Sequence, residues 1–179
     1  GWNFATNTSA NQTADAGNAN NIGIQTIAGV GLNTISWPGG PTPTTGTNPY
    51  SVSANGWDNG ADTKYWQIDV NTTGATGITL SSLQGGSNTG PKDFKIQYKV
   101  GASGTWNDVT GGTITLTTAV SPGNIATWVG VTDLALPSDA DNQPLVSIRW
   151  INTTTTSINN GTVSATRTSR ICAIYVKGT

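Results

Sequence analysis

The chain has 179 residues, 35% of them hydrophobic and only 9% charged, with a net charge of −1. That balance excludes nucleic acid or an anionic membrane surface as a partner held by a basic patch, and no apolar run approaches the roughly 18–20 residues of a membrane-spanning helix. Seven Trp and many β-branched residues point instead to an ordered β protein with a neutral polar surface.

The length fits one domain, residues 1–179, able to bury its own core. The first strand signal is Trp2–Thr6, followed by a polar run. Residues 1–21 read either as an extended N-terminal strand on a tether or as the first strand of the chain's own sandwich. Further strands are expected at Ile22–Ala28, Tyr65–Val70, Ile78–Leu83, Asp93–Val100, Thr113–Thr117, Ile125–Val129, Leu145–Ile151 and Arg170–Val176. Three of them alternate cleanly. Trp66, Ile68 and Val70 oppose Gln67 and Asp69; Phe94, Ile96, Tyr98 and Val100 oppose Lys95, Gln97 and Lys99; Val146, Ile148 and Trp150 oppose Ser147 and Arg149. A period of two with one apolar face is the mark of a half-buried antiparallel strand. Two stretches read as long loops: Ser36–Tyr50, rich in proline, and Thr153–Arg170, with a short strand signal at Thr162–Ala165. The expected fold is all-β, an antiparallel two-sheet β-sandwich of jelly-roll-like form.

Catalytic chemistry is poorly supplied. There is no His, and all nine acidic residues are Asp. No ordinary triad or imidazole base is therefore available. Asp58 with Asp62 and Asp139 with Asp141 sit in turn-forming contexts, where Asp caps turns. The same residues, with Asn59 and Asn142, are the candidate ligands of a structural Ca²⁺, which takes about 6–8 oxygens. Trp37, Trp57, Trp128 and Tyr50 are the candidate sugar-stacking rings, while Trp66 and Trp150 fall on core faces and Trp106 is expected to pack back over its hairpin. Gly85–Gly90 lies between two strands and opens no helix, so it carries no phosphate site. Cys172 lies in an apolar run and reads as a buried thiol. Asn7, Asn11, Asn71, Asn152 and Asn160 head glycosylation sequons.

Three stretches are more specific: Gly56-Trp57-Asp58 with Tyr65-Trp66-Gln67-Ile68; Gly90-Pro91-Lys92-Asp93-Phe94-Lys95-Ile96-Gln97-Tyr98; and Asp141-Asn142-Gln143-Pro144-Leu145-Val146-Ser147-Ile148-Arg149-Trp150, followed by Thr168-Ser169-Arg170-Ile171. Together they resemble a β-sandwich accessory and adhesion domain of large secreted bacterial proteins, among them extracellular nucleases, polysaccharide-degrading enzymes and surface-layer-associated proteins. The resemblance implies a module without activity of its own that works at the cell surface. In that family Ser-Arg-Ile continues with Asp-Asn-Ile. Here Cys172-Ala173-Ile174 follow, so no role for that carboxylate carries over. Two functions remain open. One is an extracellular structural or adhesive subunit that self-assembles into a filament or surface layer, its partner being a second copy joined by β-strand addition. The other is a carbohydrate-binding module whose partner is a surface polysaccharide.

Overall fold

The computed structural model describes residues 1–42 and 49–179. Residues 43–48 of the proline-rich loop and the side chains of Ala10 and Asn11 lie outside that description. Among the described residues ten strands form two antiparallel sheets: β1 (Ile27–Val30), β2 (Ile35–Ser36), β3 (Val52–Ala54), β4 (Tyr65–Val70), β5 (Thr79–Gly86), β6 (Asp93–Val100), β7 (Asn107–Thr115), β8 (Val129–Ala135), β9 (Val146–Asn152) and β10 (Ser169–Lys177). The first sheet has the order β1-β4-β9-β6-β7 and the second β2-β3-β10-β5-β8. The chain is a β-sandwich, and the pleat explains it. Each alternating strand offers one apolar row, and two such rows facing each other remove it from water.

The core lies between the sheets. Trp66, Phe94, Ile96, Ile148 and Trp150 are fully buried from the first sheet, and Leu80, Ile171 and Ile174 from the second. Two indoles tie the layers together. Trp150 Nε1 donates to Ser82 Oγ at 3.0 Å, and Trp66 Nε1 reaches Ser169 Oγ at 3.4 Å. Buried Trp needs such a partner for its N–H.

Several expected elements differ. The N-terminal segment is not a strand. It makes two isolated bridges, Trp2 to Ile174 and Thr13 to Thr26, and Phe4 takes a left-handed backbone with φ of 49°. Trp2 and Phe4 nevertheless sit in the core, 1% and 0% exposed. Trp2 Nε1 donates to the Gln12 carbonyl, and Asn3 N to Asp15 Oδ1. Residues 1–4 and 12–16 are therefore laced to each other and onto their own sandwich. Ile22 and Ile24 are exposed, and pairing starts only at Ile27. Ile125–Thr127 is a 3₁₀ turn capped by the Asn124 side chain, because Asn124 Oδ1 accepts the Ala126 N–H before it can join a ladder. The second long loop contributes two isolated bridges, Thr156 to Thr162 and Ser157 to Pro91.

Candidate ligand-binding face

The inward rows fill the core, so the outward rows of the first sheet are what it shows to solvent. Register fixes their neighbours. Gln67, Arg149, Gln97 and Asp108 are cross-strand partners in one row over β4, β9, β6 and β7. Tyr65 stands two residues before Gln67 on the same side of β4, and Trp106 immediately precedes β7.

These side chains interlock. Arg149 donates Nε and Nη2 to Gln97 Oε1 at 2.8 and 2.6 Å. Gln97 Nε2 donates to Asp108 Oδ1 at 2.6 Å, and Lys95 Nζ lies 3.2 Å from the same oxygen. The guanidinium of Arg149 sits in the corner between two rings, 4.1 Å from the Trp106 centroid and 4.7 Å from that of Tyr65. Those rings meet edge-on, 6.3 Å apart at 62°. Lys99 Nζ lies 5.2 Å from the Trp106 ring and donates to the Ala102 carbonyl. Cation–π contact and the bidentate hydrogen bond hold Arg149 in one pose. The hydrogen bond from Gln97, reinforced by Lys95 and the charge of Arg149, keeps the Asp108 carboxyl below the usual carboxylate range despite slight desolvation. Burial lowers the Arg149 guanidinium.

Half-exposed aromatic rings beside fixed amide, carboxylate and guanidinium groups suit a polyhydroxylated ligand. A ring covers an apolar sugar face, and the polar row exchanges hydrogen bonds with hydroxyls. Composition left Trp106 as a ring packed over its hairpin. The structure makes it half-exposed and places it against Arg149. The readable signal was parity, since Tyr65, Gln67 and Arg149 all fall on the polar side of their strands.

Two of the four rings singled out from sequence, Trp57 and Trp128, are enclosed by the protein. Trp57 is fully buried, 5.8 Å from Trp66 and 5.5 Å from Phe94, and its Nε1 donates to the Ala54 carbonyl at 2.8 Å. The turn around it is pulled shut by Lys64, whose Nζ donates to the carbonyls of Gly56 and Asp58, both at 2.6 Å. That closure turns the indole inward, so Trp57 cannot stack on a sugar. Trp128 is 6% exposed and lies over Gly85 on the outside of the second sheet. Trp37 and Tyr50 are half-buried against the core, brought close by the Gly39–Tyr50 bridge and the Ser51 N–H to Pro38 carbonyl bond.

Three of the four candidate calcium aspartates have carboxylates engaged by the protein itself. Asp58 Oδ1 is 3.7 Å from Lys64 Nζ. Asp62 is a left-handed turn residue whose N–H bonds the Asn152 carbonyl. The Asp139 carboxylate accepts the Tyr98 hydroxyl at 2.9 and 3.1 Å, and Asp141 Oδ1 accepts the Ile78 N–H at 3.3 Å. Among the described residues no three His, Cys, Asp or Glu gather as a metal group. Asn152 is fully buried, which removes its sequon from glycosylation in the folded chain. Cys172 is also fully buried, and burial pushes its thiol far up. Among the described residues no helix is long and apolar enough to cross a membrane.

No family model and no curated protein matches the chain. Solved structures do. A CBM4 structure aligns over 93% of this chain and 92% of its own with a TM-score of 0.53 and 12% identity. The K1 cleaved adhesin domain of Lys-gingipain from Porphyromonas gingivalis W83 covers 99% and 96% at 0.49 and 14%. The N-terminal cellulose-binding domain of Cellulomonas fimi β-1,4-glucanase C covers 86% and 88% at 0.41 and 12%. At such identities the CBM4 likeness concerns the sandwich fold.

Proposed function

We propose that this chain is a non-catalytic, extracellular binding module that adheres to carbohydrate through the outward face of its first sheet. The observation that carries the reading is the Tyr65–Trp106 corner with Arg149 locked inside it, continuous with the Gln67–Arg149–Gln97–Asp108 row. Rigid rings and prearranged polar groups reduce the ordering cost of binding. The fold shared with a CBM4 structure supports it, as does a chain without His or Glu. Self-assembly by donation of the N-terminal segment would require withdrawing Trp2 and Phe4 from this core, so the carbohydrate reading stands ahead of it.

The test is retention on insoluble polysaccharides and on a printed glycan array. Wild type should bind at least one glycan. Trp106→Ala and Arg149→Gln should each weaken that binding about tenfold or more, near 1.4 kcal/mol, with the circular dichroism spectrum unchanged. A wild-type chain that no glycan retains would end the proposal.

A further inference from the structure

At one end of the sandwich, β4 of the first sheet and β10 of the second leave a cleft beside the N-terminal segment. Its volume is about 290 Å³, and its walls are residues 16–21, residues 70–78 and residues 176–178. That size is near the lower end of the roughly 300–1,000 Å³ of ligand pockets, so the cleft admits a small molecule. Val70 ends β4 and Tyr65 begins it. At ~3.3 Å per residue the cleft therefore lies about 17 Å along the strand from Tyr65 and its ring partner.

The walls are tied from several sides. Asn21 and Asn71 exchange two bonds, as paired strand residues do: Asn21 Nδ2 donates to the Asn71 carbonyl at 2.9 Å, and the Asn71 N–H to Asn21 Oδ1 at 2.8 Å. Thr72 Oγ1 donates to the Ala140 carbonyl at 2.7 Å and accepts the Gln143 N–H at 2.9 Å. Thr76 and Thr179 exchange backbone bonds of 2.9 and 3.0 Å beside Gly178. Walls held in this way need little further ordering to receive a ligand.

The lining is divided in character. Val70 and Ile78 are buried core residues and give it an apolar floor. Asn18 and Asn71 give it amides, and the oxygen of each is in use. Asn18 Oδ1 accepts the Asn20 N–H and Asn21 Nδ2, and Asn71 Oδ1 accepts the Thr73 N–H. Their Nδ2 donors have no acceptor among the described residues. The charged groups at the margin are engaged: Lys177 Nζ lies 3.1 Å from Asp133 Oδ1, and the Gly1 ammonium donates to the Ala16 carbonyl. Among the described residues no carboxylate lines the cleft. Apolar floor and open amide donors together suit a small neutral molecule that has both a C–H face and acceptor oxygens.

We infer that this cleft is a second ligand site, which takes a single neutral sugar unit, free or at the end of a chain. Sugar hydroxyl oxygens accept from Nδ2 of Asn18 and Asn71, and the C–H face of the ring lies against Val70 and Ile78. The site stands whether or not the Trp106 face binds glycan.

In the test, ¹⁵N-labelled wild type is titrated with glucose, galactose and mannose, with their methyl glycosides, and with glucuronate. At least one neutral sugar should shift the amide signals of Asn71, Thr72, Ala75 and Gly178 saturably, with Kd on the order of 1 mM. The shifts should persist in Trp106→Ala. In Ala75→Phe the new ring occupies the cleft, while the Ala75 backbone keeps its bonds to Thr72 and Asn142. Asn71→Asp retains an oxygen for the Thr73 N–H and removes the amide donor. Each of these two variants should raise Kd about tenfold or more. A methyl glycoside that binds shows that a chain end is admitted, and binding by free sugars alone identifies a free monosaccharide. The wild-type titration needs no variant to fold. The inference is overturned if no neutral sugar shifts these signals, if glucuronate binds more tightly than every neutral sugar, or if Trp106→Ala abolishes the shifts.

Discussion

Arg149 and Trp150 are consecutive on β9 and lie on opposite sides of one sheet. Arg149 rests against the Trp106 ring outside, 4.1 Å from its centroid, while Trp150 is fully buried and bonds Ser82 in the facing sheet. One peptide bond thus joins the candidate binding face to the core, and it allows the two to be tested separately.

Trp57→Ala should cost about 3–5 kcal/mol in urea unfolding, the range for emptying a buried aromatic site. Trp106→Ala should cost less than about 1 kcal/mol, because its ring is half-exposed. Equal losses at the two positions would contradict the burial difference between them.

Ser82→Ala should destabilise by about 1–3 kcal/mol, since the Trp150 indole N–H is left buried and unpaired. In a Ser82→Ala, Trp150→Phe double variant the losses should be less than additive, because the second change removes the orphaned donor. Strict additivity in a double-mutant cycle would mean that the 3.0 Å bond contributes nothing.

Asp108 gives a pH prediction. Its folded pKa lies below the unfolded value, chiefly through the Gln97 hydrogen bond. The stability it contributes is therefore present above the unfolded carboxylate pKa and is lost as pH falls through the lower folded one. Tm-against-pH curves of wild type and Asp108→Asn should converge only in strong acid. NMR titration of the Asp108 side chain should show a midpoint below that of an exposed aspartate.

Trp2→Ala and Phe4→Ala should each lower stability by about 3–5 kcal/mol, as core positions do, and removal of residues 1–8 should lower Tm further. A truncated chain with unchanged Tm would show that the N-terminal segment is dispensable to its own sandwich and free to serve elsewhere.

Much of the fold was legible because β4 and most of β6 alternate in burial, and half-burial writes itself as alternation, while β9 alternates in residue type although all of it but Arg149 is buried. β3 was not, since Val52, Ser53 and Ala54 are all buried and leave no period to read. β7 was shortened because Gly111 and Gly112 interrupt it near a register shift. Ile22 and Ile24 misled in the other direction, as apolar residues left in an exposed turn. Trp57 looked like a surface residue because Gly, Asn and Asp surround it, yet the Lys64 bonds that fold it inward come from beyond the turn. The candidate face was hidden for a topological reason. β4 and β9 are neighbours only in space, so the meeting of Tyr65 with Arg149 depends on a pairing between segments far apart in the chain.

The burial of the indoles also determines how this molecule can be watched. Trp2, Trp57, Trp66, Trp128 and Trp150 are enclosed, leaving Trp37 and Trp106 as the partly accessible emitters. Intrinsic fluorescence should therefore be dominated by shielded, blue-emitting fluorophores, with only a minor component open to a soluble quencher. A glycan settling on Trp106 would protect part of that minor component, so acrylamide quenching reports occupancy of the face more cleanly than total emission does.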